Sequence, residues 1–188
     1  MHIGKQSRQK TIVNVTVLSA LAIACSAADA TQLGVQFAAG VADHDVRKAD
    51  MGGVWDPGLR WWDIGGYHFT LVAEAHASWW DIREGHTVHP DIWEFGVTPV
   101  FRFIKSSGWL RPYVEAGVGV RMLSHVQETQ DRSFSSSFQF ADMVGFGAQF
   151  GAHQNYLAGF RFQHLSNAGL EQPNPGINFS ELYLQYDF

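Results

Sequence analysis

The chain has 188 residues, room for one domain, with 46% apolar and 14% aromatic residues, 19 glycines and a net charge of −5. A single cysteine excludes a disulfide framework, and an acidic chain without a basic run argues against nucleic acid as a partner. Beyond the first thirty residues nothing approaches the ~18 consecutive apolar residues of a transmembrane helix, so the mature chain can span a membrane only as a closed barrel.

Residues 1–30 read as a cleavable secretory signal. Lys5, Arg8 and Lys10 form a basic start, Val13 to Cys25 an apolar stretch, and Ala28-Asp29-Ala30 a small-x-small cleavage site. A lipoprotein signal ending at Cys25 is the weaker alternative, because Ala22 stands where a larger aliphatic residue is usual. Removing the segment takes away the cysteine and leaves a mature domain, 31–188, of net charge −7. That is 13 Lys and Arg less Lys5, Arg8 and Lys10, against 18 Asp and Glu less Asp29.

Eight alternating runs follow, at 31–43, 57–65, 68–82, 91–105, 110–124, 137–151, 155–166 and 177–188. In the first, Leu33, Val35, Phe37, Ala39 and Val41 share one face. In the third, Phe69, Leu71, Ala73, Ala75, Ala77 and Trp79 oppose Glu74, His76 and Ser78. The fourth sets Trp93, Phe95, Val97, Phe101 and Phe103 against Glu94, Thr98 and Arg102, and the fifth sets Val114, Ala116, Val118, Val120 and Met122 against Glu115 and Arg121. The last opposes Leu182, Leu184, Tyr186 and Phe188 to Glu181, Gln185 and Asp187. Long runs with one apolar and one charged, glycine-bearing face predict an all-β fold, an eight-stranded antiparallel transmembrane barrel.

Short links at 65–67, 106–108 and 152–154 alternate with longer ones at 44–56, 83–90, 125–136 and 167–176. In an outer-membrane barrel with both ends in the periplasm, the long ones face outward. Trp79, Trp80 and Trp93 are then expected at the external interface, and Trp61, Trp62 and Trp109 at the periplasmic one. Glu74, Glu94, Glu115, Arg102, Arg121 and Arg161 point inward, where opposite charges can pair. Thr98-Pro99 suggests a bulge and Arg111-Pro112 a strand start.

The seventh run ends in the stretch that carries chemistry. Phe160, Phe162, His164 and Ser166 share the apolar face, which in a barrel meets lipid. A serine is a weak nucleophile until a base takes its proton, and a histidine two residues away on the same face can be that base. The bland alternative is a polar pair in the headgroup zone of a non-enzymatic small barrel, structural or adhesive.

His164-Leu165-Ser166-Asn167-Ala168-Gly169-Leu170, followed by Gln172-Pro173-Asn174 and Gly176-Ile177, resembles the motif of the outer-membrane lipid A 3-O-deacylases, the PagL family. The close match covers about 160–178; the rest agrees in architecture, down to the terminal Phe188. The resemblance implies a serine esterase of the outer leaflet that removes the acyl chain ester-linked at position 3 of lipid A. It implies Ser166 as nucleophile, His164 as general base, and Asn167 with the Gly169 backbone N–H as oxyanion hole. No cofactor or metal is implied. Lipid A, or lipopolysaccharide, is the partner, and a homo-oligomer stays open, because self-association can mask a lipid-facing site.

At the position matching Asn178 the family pattern carries a glutamate, so the group that orients the histidine has three candidates. Parity puts Asn178 on the His164 face and Glu181 on the inner one. A β-hairpin centred on His153 brings Asp142 opposite His164. Asn178 stands slightly ahead of Asp142, with Glu181 third. The loop histidines His44, His86, His89 and His125, with Asp45, Asp50, Glu84 and Asp91, match no known metal spacing. Arg47, Lys48 and Arg132 are candidates to meet lipid A phosphates.

Overall fold

A computed structural model describes residues 31–188 apart from 84 and 86; the segment read as a signal, 1–30, lies outside the described residues. The strands are β1 (Gln32–Ala42), β2 (Val46–Asp56), β3 (Arg60–Ile64), β4 (Tyr67–Ile82), β5 (Asp91–Lys105), β6 (Leu110–Leu123), β7 (Phe138–Phe150), β8 (Tyr156–Ser166) and β9 (Ile177–Asp187). All neighbours are antiparallel. The order is β2-β1-β9-β8-β7-β6-β5-β4-β3, and β2 pairing with β4 closes it into an eight-stranded barrel. The rule that a membrane-spanning sheet must have no open edge is thereby met.

The second wall strand differs from the sequence reading. Residues 44–56 are not an outer loop, and 57–65 is not a full strand. β2 fills most of that place, pairing Val46–Trp55 with Ile82–Ala73, and β3 continues the same edge of β4 for a few residues beyond Pro57-Gly58-Leu59. The alternation was masked because the inward row of β2 carries Lys48, Asp50 and Gly52 and its outward row begins with Arg47. The link from β1 is only a 3₁₀ turn, Asp43–Asp45, in which His44 and Asp45 take positive φ of 64° and 51°.

The barrel is inverted relative to a soluble fold. Phe37, Phe146 and Leu182 are 58%, 61% and 68% exposed on the outside, while Glu74, Glu94 and Arg121 are 1%, 0% and 2% exposed within. An apolar outer band around a charged interior is the arrangement that lipid requires. The inward charges pair as the alternation predicts. Glu74 bonds Arg102 and Arg161, at 3.0 and 2.7 Å, and Glu115 bonds the same two arginines, at 2.8 and 2.7 Å. Nearer the long loops, Glu94 holds Arg121 at 2.7 Å, and Lys48 lies 3.3 Å from Glu94 and 2.9 Å from Glu181. Lys48 is therefore an internal ion-pair partner and not a loop cation. Trp80 also points inward, fully buried, its indole N–H donating to Glu94 at 2.8 Å, whereas Trp79 and Trp93 face outward.

Glycines make room for these side chains. A Cβ on Gly159 would meet the Tyr183 ring at 2.7 Å, so the ring can lie flat across β8 only because that position has none. Pro99 does not produce the expected bulge. The β5–β6 register is the same before it (Val97–Val120) and after it (Val100–Gly117); the proline only interrupts the ladder.

The loop end of the interior is closed by an apolar plug. Val46, Trp80, Ile82, Ile92, Leu123, Phe134, Ala141, Leu165, Ile177 and Phe179 pack there, all nearly inaccessible. Leu165 and Ile177 are fully buried members, so the last turn of β8 and the start of β9 are pinned from inside. What lies on the opposite face at those positions is therefore committed to the outside.

Candidate active site

His164 and Ser166 are those outward residues. β8 pairs with β7 in the register Asp142–His164 and Phe140–Ser166, the hairpin phase expected from His153. On its other side, β8 pairs His164 with Asn178 of β9. Asp142, His164 and Asn178 thus form one rung across three strands, all on the lipid side, with Val118 of β6 extending it.

The contacts continue past β9. The β1–β9 ladder ends at Ala42–Phe179, and Asp43, the first residue of the 3₁₀ turn, follows directly. His164 Nδ1–H donates to Asn178 Oδ1 at 2.7 Å, and Asn178 Nδ2–H donates to Asp43 Oδ2 at 3.0 Å. Of the three candidates for orienting the histidine, Asn178 is the one in contact with Nδ1. Asp142 flanks the ring on the same face, exposed to the lipid side. Glu181 is buried inside, on Lys48, and no bulge in β9 changes its phase.

With Nδ1 occupied by Asn178, Nε2 is the nitrogen left for Ser166. Successive outward residues of a strand stand ~6.6 Å apart along it, so the ring must lean along β8 to reach the hydroxyl. Among the described residues no Ser166–His164 hydrogen bond is present; such contacts commonly tighten only with substrate. Gly176 backs the ring. A Cβ there would sit 2.9 Å from His164 Cε1 and 3.4 Å from Nε2, and φ at Gly176 is +64°.

Of the two oxyanion-hole candidates, the Asn167 side chain is not on the lipid face where the sequence reading put it. Asn167 continues the inward row of Arg161, Gln163 and Leu165, so its side chain is buried, not on the lipid face. Both its amide hydrogens are engaged, with Ser135 Oγ at 2.7 Å and the Glu171 carbonyl at 2.9 Å. The Gly169 N–H donates to Asn167 Oδ1 at 2.9 Å, and the Asn167 N–H to Asn174 Oδ1 at 3.1 Å. Asn167 therefore acts here as the hub of the loop that follows Ser166.

Two loops are stitched together over the site. Ser135 N–H donates to the Pro173 carbonyl at 3.1 Å, and the Arg132 guanidinium donates to the Gly176 carbonyl. Arg132 also pairs with Glu128 at 3.1 Å. Half-buried in this loop, Arg132 is held below its ordinary pKa by desolvation, and the charge of Asp43 offsets part of that. Its guanidinium is thus committed to the loop scaffold. Of the other loop cations named from sequence, Arg47 is exposed on the outer row of β2.

Below His164 the outer wall is concave. A groove of about 480 Å³ is lined by Pro99, Phe101, Gly117, Val144, Phe162 and His164, among others. Its lining is almost wholly apolar, apart from His164 and Asp142 at its edge. Among the described residues, no three His, Cys, Asp or Glu side chains converge as a metal-binding group. His89 and His125 stack on each other, 4.1 Å between ring centres.

The family model described as "Lipid A 3-O-deacylase (PagL)" matches residues 48–187, which is most of the chain. The chain belongs to this family. Two relatives named "Lipid A deacylase PagL" agree with that. The Bordetella bronchiseptica protein is 34% identical over 89% of this chain and 92% of its own. The Pseudomonas aeruginosa protein is 31% identical over 93% and 96%. Among solved structures, "Crystal structure of the outer membrane enzyme PagL" superposes with a TM-score of 0.72 at 28% identity, covering 81% of this chain and 98% of that one. Like that enzyme, this PagL-family chain is an integral outer-membrane β-barrel.

Sequence reasoning missed Asp43 and Ser135, and it named Arg132 as a contact for lipid A phosphates, not as the loop tie it makes with the Gly176 carbonyl. Asp43 is far from the motif in the chain and meets it only because β1 and β9 are neighbours. Asn174 and Gly176 lay within the recognised motif without a role. The glycine itself, following Pro175 just ahead of the last run, was the signal that could have been used, since such a position is where a positive φ is expected, and Gly176 has one.

Proposed function

We propose that this protein is a lipid A 3-O-deacylase acting by serine esterase chemistry at the outer leaflet of the outer membrane. Family membership supports the substrate, and one observation supports the mechanism: His164 shares the outward row of β8 with Ser166 and is bonded through Nδ1 to Asn178, which leaves Nε2 free to serve as base. A polar pair in a structural barrel needs neither the oriented imidazole nor the apolar groove beneath it.

In this reading the 3-linked acyl chain lies in the groove under His164, and its ester carbonyl meets Ser166. Ser166 Oγ attacks the carbonyl carbon as its proton passes to His164 Nε2. The tetrahedral intermediate collapses, the sugar 3-oxygen leaves with the proton from His164, and the acyl group stays on Ser166. Water then attacks, giving up a proton to His164, and Ser166 leaves as the hydroxyl when the fatty acid departs. Each oxyanion would draw on the Gly169 N–H, taken over from Asn167 Oδ1, and on the Asn167 amide once Ser135 or Glu171 yields its bond. Asn178 holds the Nδ1–H tautomer and stabilises the imidazolium, as an asparagine does in Cys-His-Asn sites.

Mass spectrometry of lipid A from cells producing the wild type, Ser166→Ala and His164→Ala tests this. Loss of one 3-hydroxyacyl mass is expected in the wild type alone. Unchanged lipid A with folded wild-type protein in the outer membrane would overturn the esterase reading.

A further inference from the structure

We infer that Asp43 is a positioning residue for the hydrolysis: its carboxylate fixes which end of the Asn178 amide faces His164, and so which imidazole nitrogen serves as base. The inference rests on the reading of Ser166 and His164 as nucleophile and base.

An asparagine side chain is a poor orienting group by itself. Its two ends are nearly the same shape, and one donates while the other accepts. With Oδ1 toward His164, Nδ1 carries the proton and Nε2 is bare, ready to take the Ser166 proton. With Nδ2 toward His164, Nδ1 must accept, the proton moves to Nε2, and the ring has no lone pair for the serine. The two states differ by one flip of the amide. A carboxylate in the place of Asn178 could not make this error, since both its oxygens accept.

Asp43 removes the ambiguity from outside. Ionised, it accepts only, and its Oδ2 lies 3.0 Å from Asn178 Nδ2. That contact is compatible with one amide orientation alone, the one that puts Oδ1 at 2.7 Å from His164 Nδ1. His164 and Asn178 are register partners of β8 and β9, and Asp43 is the first residue after the end of the β1–β9 ladder at Ala42–Phe179, so two members of the relay are held by strand register and the third is anchored next to it. The 3₁₀ turn that carries Asp43 joins β1 directly to β2, so only residues 43–45 separate the two strands. The negative charge that a glutamate would place against the imidazole is present here, moved one amide away. Its second task is to stabilise the imidazolium through the polarised amide.

The test compares kcat and KM for lipid A with the full-length protein in outer-membrane preparations. The variants are Asp43→Ala, Asn178→Ala, Asn178→Glu and the two doubles made by adding Asp43→Ala. Asp43→Ala is expected to lower kcat roughly tenfold or more, in the range found for outer partners of a ligating histidine, and to leave KM within twofold. It adds nothing once Asn178 is alanine, and nothing once Asn178 is glutamate, which accepts from Nδ1–H by itself. A kcat for Asp43→Ala within twofold of wild type, or an equal loss in the Asn178→Ala background, would overturn the proposal.

A second readout does not depend on turnover. In ¹⁵N-histidine-labelled Ser166→Ala protein, His164 is expected as the Nδ1–H tautomer, and adding Asp43→Ala should mix in the Nε2–H form. An unchanged tautomer overturns the role of Asp43 even if lipid A is not the substrate. An inactive wild type with this tautomer shift upholds the control of the His164 tautomer by Asp43 and sinks the esterase reading, and with it the role of Asp43 in hydrolysis.

Discussion

At the scale of single residues, the site is governed by what touches one imidazole. Asn178 holds one edge, Gly176 lies against another, and Asp142 stands across β7. Gly176 gives a sharp expectation. Alanine there would push its methyl into Cε1 and would also be strained at φ +64°, costing about 1 kcal/mol. Gly176→Ala should therefore reduce lipid A deacylation by tenfold or more while the barrel still folds, as judged by the migration of unheated protein on a gel. Asn167→Ala should lower kcat by about 10²-fold, the usual cost of an oxyanion donor. If Asn167 serves only as loop hub, the loss should instead be matched by Ser135→Ala, which frees the same amide hydrogen. The local part of this arrangement was legible in the sequence. A period of two was enough to put His164, Ser166 and Asn178 on one face and Glu181 on the other. Asp43 was not legible, because nothing local says that the first and last strands of the wall are neighbours in that register.

At the scale of elements, the first strand and the hairpins from β4 onward were readable and the stretch 44–65 was not. The pairing of β7 with β8 followed from a turn at His153 and an unbroken alternation on both sides. β2 was hidden because its inner face is not apolar, its outer face starts with arginine, and Gly52-Gly53 looks like a turn. The same strand delivers Lys48 and Asp50 to the interior, so the feature that hid it is the feature that gives it a place. Parity also explains why the Asn167 side chain is not on the lipid face with Ser166: the two are consecutive, and consecutive residues at a strand end point to opposite sides. The loop over the site is joined to its neighbour through Ser135, Pro173, Arg132 and Gly176. Arg132→Ala should loosen that junction, raising the proteolytic susceptibility of 167–176 and lowering activity more than it lowers barrel stability.

At the scale of the whole molecule, the interior is a bonded ionic core under an apolar plug. Glu74 alone serves Arg102, Arg161 and, at 3.3 Å, His76. Removing one member of such a set strands buried charge, a loss of roughly 3–5 kcal/mol. Glu74→Ala should thus lower the urea midpoint of unfolding in detergent far more than Ser166→Ala, which leaves the interior untouched. Equal midpoints for the two variants would mean that water enters the barrel and solvates the arginines.

The outward placement of the rung also decides how the reaction should be counted. On the proposed reading, substrate arrives by sliding sideways within a leaflet and never leaves it, so the quantity that drives the rate is its share of the surface, not its amount per litre. Diluting lipid A with inert detergent at constant total concentration should slow turnover, and adding buffer volume should not.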